Sequence, residues 1–156
     1  MEQGRLQKIF GIGPKGAGIS IGMFVLFFWL SSHVNLPILK TIPFLLKVFG
    51  IILILAGLGL HIWSFRTLKS WWSHDQLCTR GPFQHFKHPM YASWISFACP
   101  GIALFFNSWV FIAWVVLLHP VWHWLIKKEE AVMQEVFGDA YEGYSKRTGR
   151  FLPKLF

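Results

Sequence analysis

Charged positions are so sparse along this chain that the gaps between them outline its elements. No Asp, Glu, Lys or Arg occurs from Gly16 to Leu39 (24 residues), from Val48 to Phe65 (18 residues) or from His88 to Ile126 (39 residues). About 20 apolar residues carry a helix across the roughly 30 Å hydrocarbon layer of a bilayer, so each of the first two gaps predicts one span. The third would make a single helix of about 58 Å at 1.5 Å per residue and must fold back. Asn107-Ser108, near its middle, is the natural turn. The pattern predicts an all-α polytopic membrane bundle with four spans at roughly 17–35, 44–65, 89–106 and 109–126, the last two forming a tight hairpin.

Composition agrees with this pattern and excludes other classes. Of the 156 residues, 54% are hydrophobic and 14% charged, whereas a soluble domain carries about 25% charged residues. Disorder, a collagen-like chain and an ordinary soluble domain are thereby excluded. Cys78 and Cys99 do not make a disulfide framework. No small-residue cleavage site follows the first apolar run, so that span is expected to remain in place. The N-terminal segment, with Gly4, Gly11, Gly13, Gly16, Gly18 and Pro14, reads as a flexible or interfacial lead-in. Gly57 and Gly59 suit close helix packing. Without repeats or a long linker, 1–156 reads as one membrane domain, two spans in 1–66 followed by a second half in 67–156.

The formal net charge of +8 is mainly a topology signal. With four spans, 13 of the 15 basic residues fall on one side and only Lys40 and Lys47 on the other, which places both termini in the cytoplasm. All seven acids share that side, so polar chemistry is expected at the cytoplasmic face. Because the bases follow topology and form no separate basic domain, no nucleic-acid partner is expected.

Two constellations there carry candidate chemistry. The loop from Arg66 to His88 ends in Gly81-Pro82, a turn signal, and in His88-Pro89-Met90-Tyr91. Pro89 suits the first helical position, with His88 as the cap and Tyr91 one turn on. The free N–H groups of such a start favour a carboxylate or phosphate; a plain membrane-interface cap is the competing reading. The second constellation is Lys127-Lys128-Glu129-Glu130, where the fourth span leaves the membrane. Carboxylates near a bilayer are costly unless they face protein or a ligand; solvated acids are the simpler alternative. Val132, Met133, Val136 and Phe137 continue an apolar stripe, with Gly138 as a C-cap. His119 and His123 have the i, i+4 spacing of a metal pair, but no third ligand lies nearby, so packing or the lining of a polar cavity is preferred and no metal is expected. His61 is placed to line the same cavity, and Trp71-Trp72 reads as an interface belt.

Together the motifs resemble the isoprenylcysteine carboxyl methyltransferase-like family of membrane methyltransferases, itself similar to the phospholipid methyltransferases. The resemblance rests on Leu77, Thr79, Gly81-Pro82-Phe83 and Lys87-His88-Pro89-Met90-Tyr91, then Glu129-Glu130, Phe137-Gly138, Tyr141, Tyr144, Thr148, Arg150-Phe151 and Pro153, over residues 75–155. It implies a cytoplasmic cap that binds S-adenosylmethionine and transfers its methyl group to a lipophilic acceptor, such as a membrane lipid. The cofactor-binding positions it implies are Gln76, Leu77, Cys78, Phe83, His88, Pro89, Met90, Tyr91 and Glu129, with His88 and Glu129 in catalytic positions. Glu129 suits the ammonium, the helix start with His88 the carboxylate, and Phe83 with its apolar neighbours the adenine. If the acceptor needs a base, His88 or His85 is indicated.

Three positions depart from the family pattern. Lys87 stands where Arg is usual, and Phe83, lacking a hydroxyl, where Tyr is common. Leu125 is the substrate-binding position at which members that methylate prenylcysteine have Arg, one turn before Glu129. Leu cannot pair with a carboxylate, which argues against a prenylcysteine substrate. At 100° per residue His123 and Lys127 lie about 160° around the helix and His119 about 120°, so none of them replaces the Arg. The alternative that Leu125 raises is a non-catalytic membrane protein retaining the scaffold. Four spans are few to enclose a lipid tail, which suits a homodimer.

Overall fold

The computed structural model describes residues 12–33, 44–71, 74 and 76–154. Its helices are α1 (Ile12–His33), α2 (Phe44–Trp71), α3 (Pro89–Phe106), α4 (Trp109–Leu125) and α5 (Lys127–Arg147), with a 3₁₀ turn at Gly81–Gln84. The described residues hold no strand, only an isolated parallel bridge between Phe86 and Gly149. Four helical stretches are long and apolar enough to cross a membrane, the last being α4 and α5 taken together.

The spans agree with the charge gaps and differ at their ends. α1 is already helical at Ile12, ahead of the expected start, and includes Pro14. α2 runs to Trp71, so Arg66 and Lys69 ride on a helix that continues past its apolar part. Asn107 makes the hairpin turn in the left-handed region (φ 53°), and Ser108 caps α4 by accepting a hydrogen bond from the Val110 N–H at 3.3 Å. Gly4, Gly11, Lys40 and Trp72 lie outside the described residues.

Packing runs from α2 to α3, from α3 to α4 and from α4 to α1. Between α3 and α4 the faces are complementary in size. Ala92, Ile95, Cys99 and Ala103 form a mostly small stripe opposite Phe111, Trp114, Leu118, Trp122 and Ile126, all buried in one cluster. Phe24 of α1 joins it, 5.6 Å from the Phe111 ring and 5.2 Å from that of Trp114. The outer faces stay apolar (Ile21, Val25, Ile52, Leu55, Val116 and Leu117 are exposed), as helices surrounded by lipid require.

Backbone proximity, rather than large side chains, joins α2 to α3. A Cβ on Gly57 would stand 2.6 Å from the Ser93 carbonyl oxygen, and one on Gly50 would stand 2.9 Å from that of Gly101. Gly59 has nothing within 4 Å, so the packing pair is Gly50 and Gly57, not Gly57 and Gly59. Residues Ser93–Ala98, facing Gly57, are wound as a π-helix. The widened turn ends just before Pro100, whose ring would meet the Ser96 carbonyl in a regular α-helix.

One end of the bundle gathers the polar groups. There the start of α1 meets the start of α3 and the end of α4: a Cβ on Gly13 would be 3.4 Å from the Tyr91 hydroxyl, and Trp122 Nε1 donates to Ser20 Oγ at 2.9 Å.

Candidate active site

The loop between α2 and α3 is shaped by its own sequence before anything packs on it. Gly81 takes φ +55°, close to Thr67 of α2, and Pro82 starts the 3₁₀ turn. Trp71 folds back on this loop: its Nε1 donates to the Gln76 carbonyl at 3.0 Å, and the Arg80 guanidinium lies 4.8 Å over its ring. Gln76 is exposed, Leu77 and Phe83 are half-buried and Cys78 is buried. Burial pushes the Cys78 thiol up, away from thiolate reactivity.

The segment after α5 then closes over the loop. The Lys87 N–H donates to the Gly149 carbonyl at 2.7 Å, and the His88 N–H to that of Arg150 at 3.3 Å. Ser96 Oγ donates to the Phe151 carbonyl at 2.9 Å. The Tyr144 hydroxyl is shared between the carbonyls of Phe83 (2.7 Å) and Phe86 (3.1 Å). α5 reaches this position by kinking at Gly138 (φ 50°, ψ −128°), which ends one helical stretch as a C-cap would, although a second stretch follows directly.

Glu129 and Glu130, adjacent in sequence, have opposite environments. Lys87 Nζ lies 2.8 Å from Glu130 Oε1, and Arg150 reaches the same carboxylate through Nε at 2.8 Å and through Nη2. Burial alone would raise the Glu130 carboxyl, but His88, Arg150 and Lys87 beside it hold it well below the usual carboxylate range. Glu129, 7% exposed, receives a hydrogen bond from the Tyr91 hydroxyl at 3.1 Å. Its nearest basic neighbour is His88, Nδ1 to Oε1 at 3.8 Å. Burial lowers the His88 pKa, outweighing Glu130, so this imidazole is neutral at pH 7 and supplies no counter-charge. Burial accordingly pushes Glu129 up to about 7, against the Tyr91 hydrogen bond and with Glu130 adding to the rise. A buried acid perturbed in this way marks a candidate functional site.

The structure thus brings His88, Tyr91 and Glu129 together, with Pro89 buried beneath them and the Tyr91 ring 4.7 Å from that of Trp122. The expectation of free amides at the start of α3 is corrected in part. The N–H groups of Tyr91 and Ala92 close on the His88 carbonyl, Pro89 has none, and those of Lys87 and His88 bond the tail, which leaves that of Met90. Nor does the His88 side chain cap the helix; it faces the two acids. His85 is exposed. Leu125 is half-buried at the end of α4, and because Ile126 keeps helical angles it stays one turn before Glu129.

The grip on Glu130 is a feature the sequence reading missed. Its signal was present, an acid in a motif with Lys87 and Arg150, but nothing in the spacing says that residues 20 and 43 positions away close on it. His119 and His123 flank the Phe151 ring, at 6.5 and 4.8 Å, and His123 Nδ1 lies 3.3 Å from Arg150 Nη1. They pack the tail, and the described residues contain no cluster of three metal-ligating side chains. His61 faces Ser93 Oγ, on the π segment, at 3.2 Å.

The phospholipid methyltransferase family matches residues 45–140, from α2 into α5. The solved structure of the eukaryotic intramembrane Ras methyltransferase, isoprenylcysteine carboxyl methyltransferase, matches the fold with a TM-score of 0.64 and 23% sequence identity over 90% of this chain and 52% of that one. The chain therefore spans about half the length of that protein, and the likeness is one of fold. No curated protein matches the chain.

Proposed function

Because the chain belongs to the phospholipid methyltransferase family, whose match spans more than half of its length, we propose that this integral membrane methyltransferase uses S-adenosylmethionine and methylates a lipophilic acceptor at the cytoplasmic face. The observation that carries the donor assignment is the Glu129 carboxylate: buried, held by Tyr91 and without a cation of its own. The groups present fit the donor's chemistry. Glu129 takes the ammonium, the Met90 N–H is free for the carboxylate, and Phe83 with Leu77 offers apolar surface for the adenine. The Tyr91 ring suits a sulfonium, as aromatic faces suit cations generally.

When bound, S-adenosylmethionine supplies an already activated methyl group. The chain's own residues then have to bind, orient and keep water out. Tyr91 orients Glu129 through its hydrogen bond. Glu130 with Lys87 and Arg150 holds the His88 loop against the tail. His88, neutral and buried between two acids, can accept a proton if the acceptor must lose one. The apolar wall at Leu125 favours an acceptor without a carboxylate there, which separates this site from a prenylcysteine carboxyl methyltransferase. Both termini are cytoplasmic in this reading, and the open apolar faces of α1 and α2 leave room for lipid or a second copy.

The test is methyl transfer from labelled S-adenosylmethionine to extracted membrane lipids by the purified protein. Lipid-borne label that disappears with Glu129→Ala is expected. Full cofactor affinity in Glu129→Ala or His88→Ala would overturn the assignment of those positions. The Leu125 departure also keeps the non-catalytic reading alive, and donor binding with no turnover on any lipid or small acceptor would establish it.

A further inference from the structure

Ser20 of α1 pins an indole of α4. Its hydroxyl donates to the Gly16 carbonyl one turn back at 2.7 Å, and its oxygen accepts from Trp122 Nε1 at 2.9 Å. An indole has a single donor, so this bond fixes how the Trp122 ring sits. The core does not demand such a bond of every indole: Trp114, buried on the same helix, has no partner for its Nε1 among the described residues. Gly16, the buried residue of α1, makes room for the pinned ring, since a Cβ there would stand 2.7 Å from Trp122 Cζ2.

The same ring meets the candidate site. It lies 4.7 Å from the ring of Tyr91, whose hydroxyl donates to Glu129 Oε2 at 3.1 Å. Contacts therefore run unbroken from Ser20 on α1 through Trp122 on α4 and Tyr91 on α3 to Glu129 on α5. α1 also approaches the far end of this path directly, because a Cβ on Gly13 would stand 3.4 Å from the Tyr91 hydroxyl. A hydrogen bond of that length survives only if the ring that carries the hydroxyl is held in place by its neighbours. We infer that Trp122 is a positioning residue for the donor site and Ser20 its anchor: the pinned indole holds the Tyr91 ring where its hydroxyl reaches Glu129. α1, which lies outside the family match at residues 45–140, thereby takes part in donor binding. This consequence for the ligand rests on the donor assignment proposed above.

The groups facing Glu129 are Tyr91, His88 Nδ1 at 3.8 Å and Glu130 beside it on α5. Of these, Tyr91 favours the ionised carboxyl through its hydrogen bond, so a loosened Tyr91 shows as a shifted titration. The experiment compares wild type, Ser20→Ala, Ser20→Thr and Gly18→Ala, the last a control on α1 with open space around it. Each is the full chain in lipid nanodiscs. Two probes are used: S-adenosylhomocysteine keeps the amino-acid end, and 5′-methylthioadenosine lacks it. Binding is measured by calorimetry at pH 6 and 8.5, with ligand-free melting temperatures at both. Ser20→Ala is expected to raise the Glu129 midpoint by about half a pH unit, which weakens S-adenosylhomocysteine binding about threefold at pH 6 and hardly at all at pH 8.5. 5′-Methylthioadenosine should bind as it does to wild type. The melting temperature of Ser20→Ala should lie further below wild type at pH 8.5 than at pH 6, because the ionised carboxyl is the form that misses the bond. Ser20→Thr keeps the hydroxyl and should restore both readouts, and Gly18→Ala should match wild type. Unchanged S-adenosylhomocysteine binding in Ser20→Ala, whatever the melting temperature does, overturns the inference and leaves Ser20 as helix packing alone. A binding loss of equal size at both pH values, or on both probes, overturns it too. If wild type binds neither probe, the donor assignment fails; the melting temperatures then decide the positioning role, which an equal gap at both pH values refutes.

Discussion

The proposed function has its sharpest test at Glu129: with the donor's ammonium assigned to this buried carboxyl, donor binding becomes a titration. Raising a carboxyl from 4.5 to about 7 means that the ionised form is disfavoured in the folded protein by about 3 kcal/mol. An ammonium placed beside it removes much of that penalty, so the ligand binds the ionised form and competes with a proton. Below pH 7 the affinity for S-adenosylhomocysteine should therefore fall about tenfold per pH unit. Above pH 7 it should level off, because the carboxyl is then largely ionised and the ligand's α-amino group, stabilised by its own neighbouring carboxylate, keeps its proton. The same residue affects stability with a definite sign. The folded protein binds more protons than the unfolded one between 4.5 and 7, so Glu129 makes the ligand-free protein progressively less stable as pH rises through that window, and no further above it. Glu129→Gln should be more stable than wild type at pH 8 by up to about 3 kcal/mol. Its weakened ligand binding should not change between pH 5.5 and 7. Calorimetry in nanodiscs from pH 5.5 to 8.5 reads the fall and the plateau. A wild-type affinity that is flat across pH 5.5–7.5, or a Gln variant that keeps the wild-type profile, refutes the reasoning.

Other variants separate the roles of neighbouring residues. Tyr91→Phe removes the hydrogen bond that favours ionised Glu129, so the acid midpoint of ligand binding should move above pH 7; an unmoved midpoint would show that the bond contributes nothing. Glu130→Gln leaves Lys87 and Arg150 without their buried acid and should lower stability by about 3 kcal/mol in thermal unfolding at pH 7. Because the Glu130 carboxyl is held low, its contribution is present above pH 4.5 and fades as pH falls, so the gap between wild type and this variant should narrow in acid. Gly57→Ala drives a methyl group onto the Ser93 carbonyl and should destabilise by about 1–3 kcal/mol, whereas Gly59→Ala, with open space around it, should be close to neutral. Equal melting temperatures for the two glycine variants would contradict the α2–α3 packing described here.

The spans were legible because burial in lipid imposes a rule on every residue: a charge inside is costly, so gaps between charges mark helices. The hairpin turn was legible for a related reason, since 39 uncharged residues exceed one crossing and Asn107 tolerates the left-handed conformation. The ends of α1 and α2 were not, because helical hydrogen bonds continue past the membrane face and hydropathy does not record it. In the site, Glu129 stood out as an acid at a membrane boundary. The different fate of Glu130 depends on Lys87 and Arg150 arriving from distant parts of the chain, and on the tail occupying amides that the helix-start pattern leaves open. The winding of Ser93–Ala98 was likewise hidden. Pro100 hints at a disturbance, but only the contact with Gly57 explains why the extra width is tolerated on that side.

The strap at Thr148–Phe151 has a consequence for how the protein comes into being. It follows all four crossings in chain order, yet it holds the backbone of Lys87 and His88 and, through Arg150, the Glu130 carboxylate. A chain threaded into the bilayer helix by helix thus has its spans in place before its chemistry. Until this segment docks, Glu130 lacks its guanidinium and the His88 loop lacks its partner. Insertion of the spans and completion of the site are then separate steps in the folding of the chain.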